Sequence, residues 1–108
     1  MVVTAEDVLA PLRARIDAID TEIVALLARR MDCVGEVIGL KQAHGLPARI
    51  DARVEEVVAH VRAKAVAGGA PPDLAEVVYR HMIEWVIAHE DTHLPSPARA
   101  GEGGMAKP

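Results

Sequence analysis

Near the end of the chain stands WVIAHEDTHL, which holds His89, Glu90 and His93 in the spacing His-Glu-x-x-His. On a helix this spacing sets two imidazoles one turn apart beside a carboxylate, as a zinc hydrolase needs for its metal and its general base. Glu90 also has a second reading. Ile83, Val86 and Ile87 lie three to seven residues before it, on or beside its helical face, so the acid points with apolar side chains. Context argues against zinc: the motif falls in the last helical turns, and Pro95 and a glycine-rich stretch follow. No third histidine comes after it, and Glu102 is the sole acid beyond His93. No metal and no cofactor are therefore expected.

Several cations are as oddly placed as Glu90. Arg30 and Lys41 are eleven residues apart and share a helical face to within about 20°, with Val34 and Val37 between them. A cation on an apolar stripe snorkels, meets a carboxylate (Glu36, Asp20 and Glu22 are within reach in sequence), or waits for a ligand. Arg53 sits among Ile50, Val54 and Val57. Arg13 precedes Arg30 by seventeen residues, about 100° around a helix, so the two serve one pocket only if Arg13 comes from a second chain. Arg13, Arg30, Lys41 and Arg53 around a single carboxylate would suit a small ligand bearing two carboxylates.

The elements that must position these groups are helical. From Thr4 to about Ala43, apolar residues recur at three and four (Leu12, Ile16, Ile19, Ile23, Leu26, Val34, Ile38). Thr4 with Asp7 suits the start, Pro11 sits in the first turns or marks the true beginning, and Gly45 and Pro47 end the helix. A second helix is expected over about Ile50 to Ala67, broken at Gly68 and Gly69. Asp73 and Glu76 read as a capping box opening a third, on Leu74, Val77, Val78, Met82, Trp85, Val86 and Ile87. With no strand-type alternation, the fold class is all-α: three helices, one long and two shorter, in a domain over residues 1–94. Residues 95–108 lack periodicity and read as a disordered tail.

The first helix sets the assembly. At about 1.5 Å per residue it extends roughly 50 to 60 Å, about twice the diameter of a compact domain of this size. The chain is 51% hydrophobic, but much of that is Ala and Val and there is no Phe, so a monomer would have little to bury. An intertwined homodimer of paired long helices is the economical solution. The alternative is a helix broken near Pro11 or Gly35 and folded into a monomeric bundle.

Other features set bounds. The single Cys33 excludes an internal disulfide, fits a reducing compartment and reads as a small core residue. No stretch approaches the roughly 18 apolar residues of a membrane span, and the acid-bearing N-terminus does not look like a leader. A cytoplasmic protein is expected. A formal charge of -4 disfavours general nucleic-acid binding. Trp85 reads as core or dimer interface, His44, His60 and His81 as solvated, and His89 and His93 as exposed.

The pieces LRARIDAIDTEIVALLARR and VGEVIGLKQAHG resemble the all-helical chorismate mutases, the AroQ class, in ungapped register from Leu12 to about Glu90. RIDAID, RRMDCV and IEWVIAHE resemble more closely the isochorismate-pyruvate lyases of salicylate biosynthesis within that family. The resemblance implies an intertwined dimer whose sites are completed by an arginine from the other chain. It implies that Arg13 (across the interface) and Arg30 bind the two ligand carboxylates, and that Lys41 holds a carboxylate and the ether oxygen of the breaking bond. Arg53 would order the ring side, with Val37, Val86 and Ile87 along the pocket. The family's glutamine at the ether oxygen is here Glu90, as in fungal mutases, and it donates only when protonated. Burial is expected to favour that form, with activity declining as pH rises. Val54 replaces the acid that binds chorismate's hydroxyl in mutases, and Val86 replaces a polar residue. These two changes weaken recognition of chorismate's hydroxyl and leave isochorismate open; the leading expectation from the whole resemblance is a chorismate mutase serving aromatic amino acid biosynthesis. The alternatives are an isochorismate-pyruvate lyase, an aminodeoxychorismate mutase and a non-catalytic helical dimer module.

Overall fold

The computed structural model describes residues 2–94, so the expected tail at 95–108 lies outside the described residues. Three helices make up the fold: α1 (Ala5–His44), α2 (Asp51–Gly68) and α3 (Pro72–Asp91), with no strand among the described residues. None of these helices is long and apolar enough to cross a membrane. The chain divides into two compact units, Met1–Gly35 and Glu36–Pro108.

In the first unit, Thr4 and Asp7 cap α1 reciprocally. The Thr4 N–H donates to Asp7 Oδ2 at 3.1 Å, and the Asp7 N–H donates to Thr4 Oγ1 at 3.2 Å. The backbone bond from Thr4 holds the Asp7 carboxyl below its usual range. Pro11 lies inside the helix and removes one early ladder bond, yet α1 is broken neither there nor at Gly35. Along this helix Leu12, Ile16, Ile19, Ile23 and Leu26 each leave about half their surface exposed. Cys33 is exposed and not a core residue, because the neighbouring position Val34 takes the buried side of the helix.

The second unit begins in the last turns of α1, which end where Gly45 takes φ 63° and the Leu46 N–H donates to the Lys41 carbonyl at 2.9 Å. Gly69, at φ 80°, ends α2 in the same way, with the Ala70 N–H on the Ala65 carbonyl at 2.8 Å. Glycine adopts this left-handed conformation without the steric cost of a Cβ. α2 packs against α3, and Val58, Val61 and Ala65 on one and Ile83 and Val86 on the other are buried. Each such side chain contributes on the order of 1 to 3 kcal/mol.

The expected capping box at Asp73 and Glu76 does not form. α3 opens two residues earlier, on Pro71 and Pro72, whose rings preset the first turn. Both acids instead accept from Arg62 of α2, at 2.9 and 2.8 Å, because a guanidinium offers stronger bonds than a cap. Arg80 of α3 grips Glu76 at 2.7 Å and both oxygens of Glu55 on α2 at 3.0 and 3.1 Å.

Hydrogen bonds from Arg80 hold Glu55 and Glu76 below the usual carboxylate range, and one from Arg49 does the same for Glu84. A carboxylate depressed on folding stabilises above its unfolded value, about 4.3, and loses that contribution as pH falls through the lower folded value. The urea midpoint is therefore expected to hold from neutrality to about pH 5 and to drop below about pH 4. The gap between wild type and Arg80→Gln should close over the same range; a gap independent of pH would contradict the assignment.

Candidate active site

Lys41 stands in the last turn of α1, and Glu90 in the last turn of α3. They meet inside the second unit: Lys41 Nζ donates to Glu90 Oε1 at 2.7 Å, with side chains only 11% and 7% exposed. Nζ also donates to the Ala48 carbonyl at 2.8 Å. The left-handed turn at Gly45 folds the chain back so that buried Ala48 presents that oxygen. Two of the three ammonium donors are thus engaged within the chain, and the carboxylate keeps a second oxygen. Among the described residues no buried side-chain polar atom lacks a partner. The pair sets a cationic donor and a carboxylate side by side, groups whose chemistry suits an anion and a hydrogen-bonding atom.

Val86, one turn before Glu90, is buried, Ile87 is half-buried, and Val37 is exposed. Ile87 and Ala48 also line a cleft of about 540 Å³ that has Pro47 and Ala88 in its wall and Arg49, paired to Glu84, on its rim. Arg53 does not turn to the Lys41–Glu90 pair; it reaches along α2 to Glu56 at 2.6 Å, with its side chain 63% exposed. Arg13 and Arg30 belong to the first unit. Arg13 is exposed and pairs with Glu6, and Arg30 is half-buried. Sequence spacing missed the Ala48 carbonyl, which only the turn signal of Gly45 and Pro47 hinted at.

The histidines separate from the acid. Glu90 turns to Lys41, while His89 is half-buried and stacks on Trp85 with centroids 5.3 Å apart and planes at 9°. His89 is thus not the exposed residue expected, because it lies flat against an indole that is itself 60% exposed and outside the chain's core. The exposed His93 ties its Nδ1 back to the His89 carbonyl at 3.0 Å. Among the described residues, no group of three or more His, Cys, Asp or Glu is placed to hold a metal ion.

The sequence pattern of the family described as chorismate mutase type II matches residues 12–91. The chain belongs to the chorismate mutase type II family. Arg13, Arg30, Lys41, Arg53 and Glu90 all lie within the matched stretch, whereas His93 lies outside it. Similar chains include the T-protein of Enterobacter agglomerans, 40% identical over 75 residues, which cover 69% of this chain and 20% of the relative. The T-protein of Haemophilus influenzae is 33% identical over 85 residues, covering 79% of this chain and 22% of the relative. The chain spans about a fifth of the length of these curated relatives.

In this chorismate mutase type II chain the buried pair has a stability signature. Removing one partner leaves the other charge buried, at a cost of about 3 kcal/mol, whereas replacing both with apolar groups is nearly neutral. Lys41→Met and Glu90→Leu are each expected to lower unfolding free energy by about 3 kcal/mol in urea titrations, and the double variant to regain most of it. Additive losses in the double variant would show that the two groups do not depend on each other.

Proposed function

We propose that this chain is a chorismate mutase, which converts chorismate to prephenate by a pericyclic rearrangement in sites shared between the two chains of an intertwined dimer. The observation that carries the reading is the buried Lys41–Glu90 pair, set inside a family match over residues 12–91. The uncovered stripe of α1, from Leu12 to Leu26, supports the dimer, since such a surface needs a partner. Arg13 would then reach from one chain into the site of the other and pair a ligand carboxylate, with Arg30 of the home chain binding the second. Residues 1–94 would form the catalytic domain, in the cytoplasm.

A pericyclic step needs no nucleophile and moves no proton. Catalysis comes from holding the substrate in a compact reactive geometry and from stabilising negative charge as it builds on the ether oxygen. Lys41 supplies the stabilising positive charge and turns toward the incoming dianion. Glu90 then loses its cationic partner as negative charge arrives, and both changes favour its protonated form. The charged group that meets Glu90 from another helix is Lys41; His89 and Asp91 flank it on its own, and His93 lies just past the helix end. Protonated, Glu90 donates a hydrogen bond to the ether oxygen; ionised, it would repel the transition state.

The rate is therefore present at low pH and lost as pH rises. Turnover of chorismate, followed by absorbance, is expected to decline as pH rises. Glu90→Gln should remain active and flatten the profile. A flat wild-type profile through neutrality, with no change in Glu90→Gln, would sink the role. Salicylate fluorescence from isochorismate, run in parallel, tests the lyase reading that Val54 and Val86 favour.

Sharing of Arg13 has its own check. Arg13→Ala and Arg30→Ala are each expected to be inactive as dimers that stay assembled. Mixing them should restore about a quarter of wild-type activity, because half of the dimers are mixed and each of those keeps one intact site. No recovery on mixing would place Arg13 in its own chain's site. A helical module without catalysis would lose its fold, not its activity, in these variants.

A further inference from the structure

Glu90 is the penultimate residue of α3, and the last turn of a helix is where fraying concentrates. A carboxylate that must meet a reacting atom is poorly served by a fraying turn. The structure counters this with a lock just past the helix. Leu94 is buried to 2% exposure. The His93 N–H donates to the Glu90 carbonyl at 2.9 Å, and Thr92 Oγ1 to the His89 carbonyl at 2.7 Å. From the facing helix, Gln42 Nε2 donates to the His93 carbonyl at 3.0 Å. Gln42 directly follows Lys41, so consecutive residues of α1 hold the Glu90 side chain and the main chain three residues beyond it.

We propose that Gln42 is a positioning residue for the reaction: by holding the His93 carbonyl it keeps the last turn of α3 closed and sets the angle at which Glu90 meets Lys41 and the substrate. The role rests on the chorismate mutase reading. Gln42 touches no substrate; it acts through Glu90. Its polar tie differs from the ion pairs of Arg62 and Arg80, which fasten α2 to α3 at positions away from Glu90.

The test compares Gln42→Met, which keeps the length and removes the donor, with Gln42→Lys, which restores a donor. Gln42→Met is expected to lower kcat about fivefold, the size of one net hydrogen bond, with KM changed less than twofold. Amide exchange at His93 should speed up by a similar factor, and Gln42→Lys should recover both. In a Glu90→Ala background the effect of Gln42→Met on kcat should shrink below twofold, since the group it positions is gone. An equal loss in both backgrounds, or a urea midpoint that falls in step with kcat, marks a structural bond and overturns the proposal. If wild type is active and Gln42→Met matches it, the positioning role alone fails. If wild type turns over neither chorismate nor isochorismate, the underlying reading fails and takes this role with it.

Discussion

A lysine and a glutamate taken out of water at the ends of two helices, 2.7 Å apart, form the contact on which the rest of this structure depends. Desolvating both charges is costly, and their attraction offsets that cost only with good geometry and with the remaining valences filled. The surrounding fold supplies both. Gly45 turns the chain so that the Ala48 carbonyl takes a second ammonium donor, and α3 is held at its far end by buried Leu94 and by Gln42. A pair maintained this carefully is poorly explained as a source of stability, because two apolar residues would pack there at less cost. Under the proposed function it is a poised site: a dianion would take the lysine, and the acid it leaves behind would take a proton.

The same logic orders the rest of the chain. Half-buried Arg62 of α2 and Arg80 of α3, with Arg49 just before α2, spend their charge on Glu55, Asp73, Glu76 and Glu84, fastening two helices whose small core could not hold them tightly alone. Leu12, Ile16, Ile19, Ile23 and Leu26 of α1 each keep about half their surface exposed, and the proposed second copy of the chain would cover them.

Much of this was legible in the sequence. Three-and-four spacing with glycine and proline stops placed α1 and α2 within about a residue of their ends and the start of α3 within two. The angle of Glu90 on its helix, among Ile83, Val86 and Ile87, foretold a buried acid, and Glu90 is 5% exposed. Periodicity states how far around a helix a residue lies, but not what stands opposite. The partner of Lys41 is none of Glu36, Asp20 and Glu22, nearby in sequence, but Glu90, forty-nine residues away. Arg53, placed on an apolar stripe by the pattern, turns outward to Glu56, since a long flexible cation on a half-exposed face follows the nearest carboxylate. Asp73 and Glu76 were read as a local cap because a cap is the only partner a local pattern knows, and Arg62 on another helix was stronger.

Under the proposed function, ligand binding exchanges the partner of Lys41 and puts a proton on Glu90. Infrared difference spectroscopy with a non-reacting dicarboxylate shaped like the rearranging substrate reads this directly, with Glu90→Gln as the control. The account predicts that a protonated carboxyl band appears in wild type at neutral pH on binding and is absent from Glu90→Gln. A Glu90 carboxylate band that survives saturation with the dianion would contradict it.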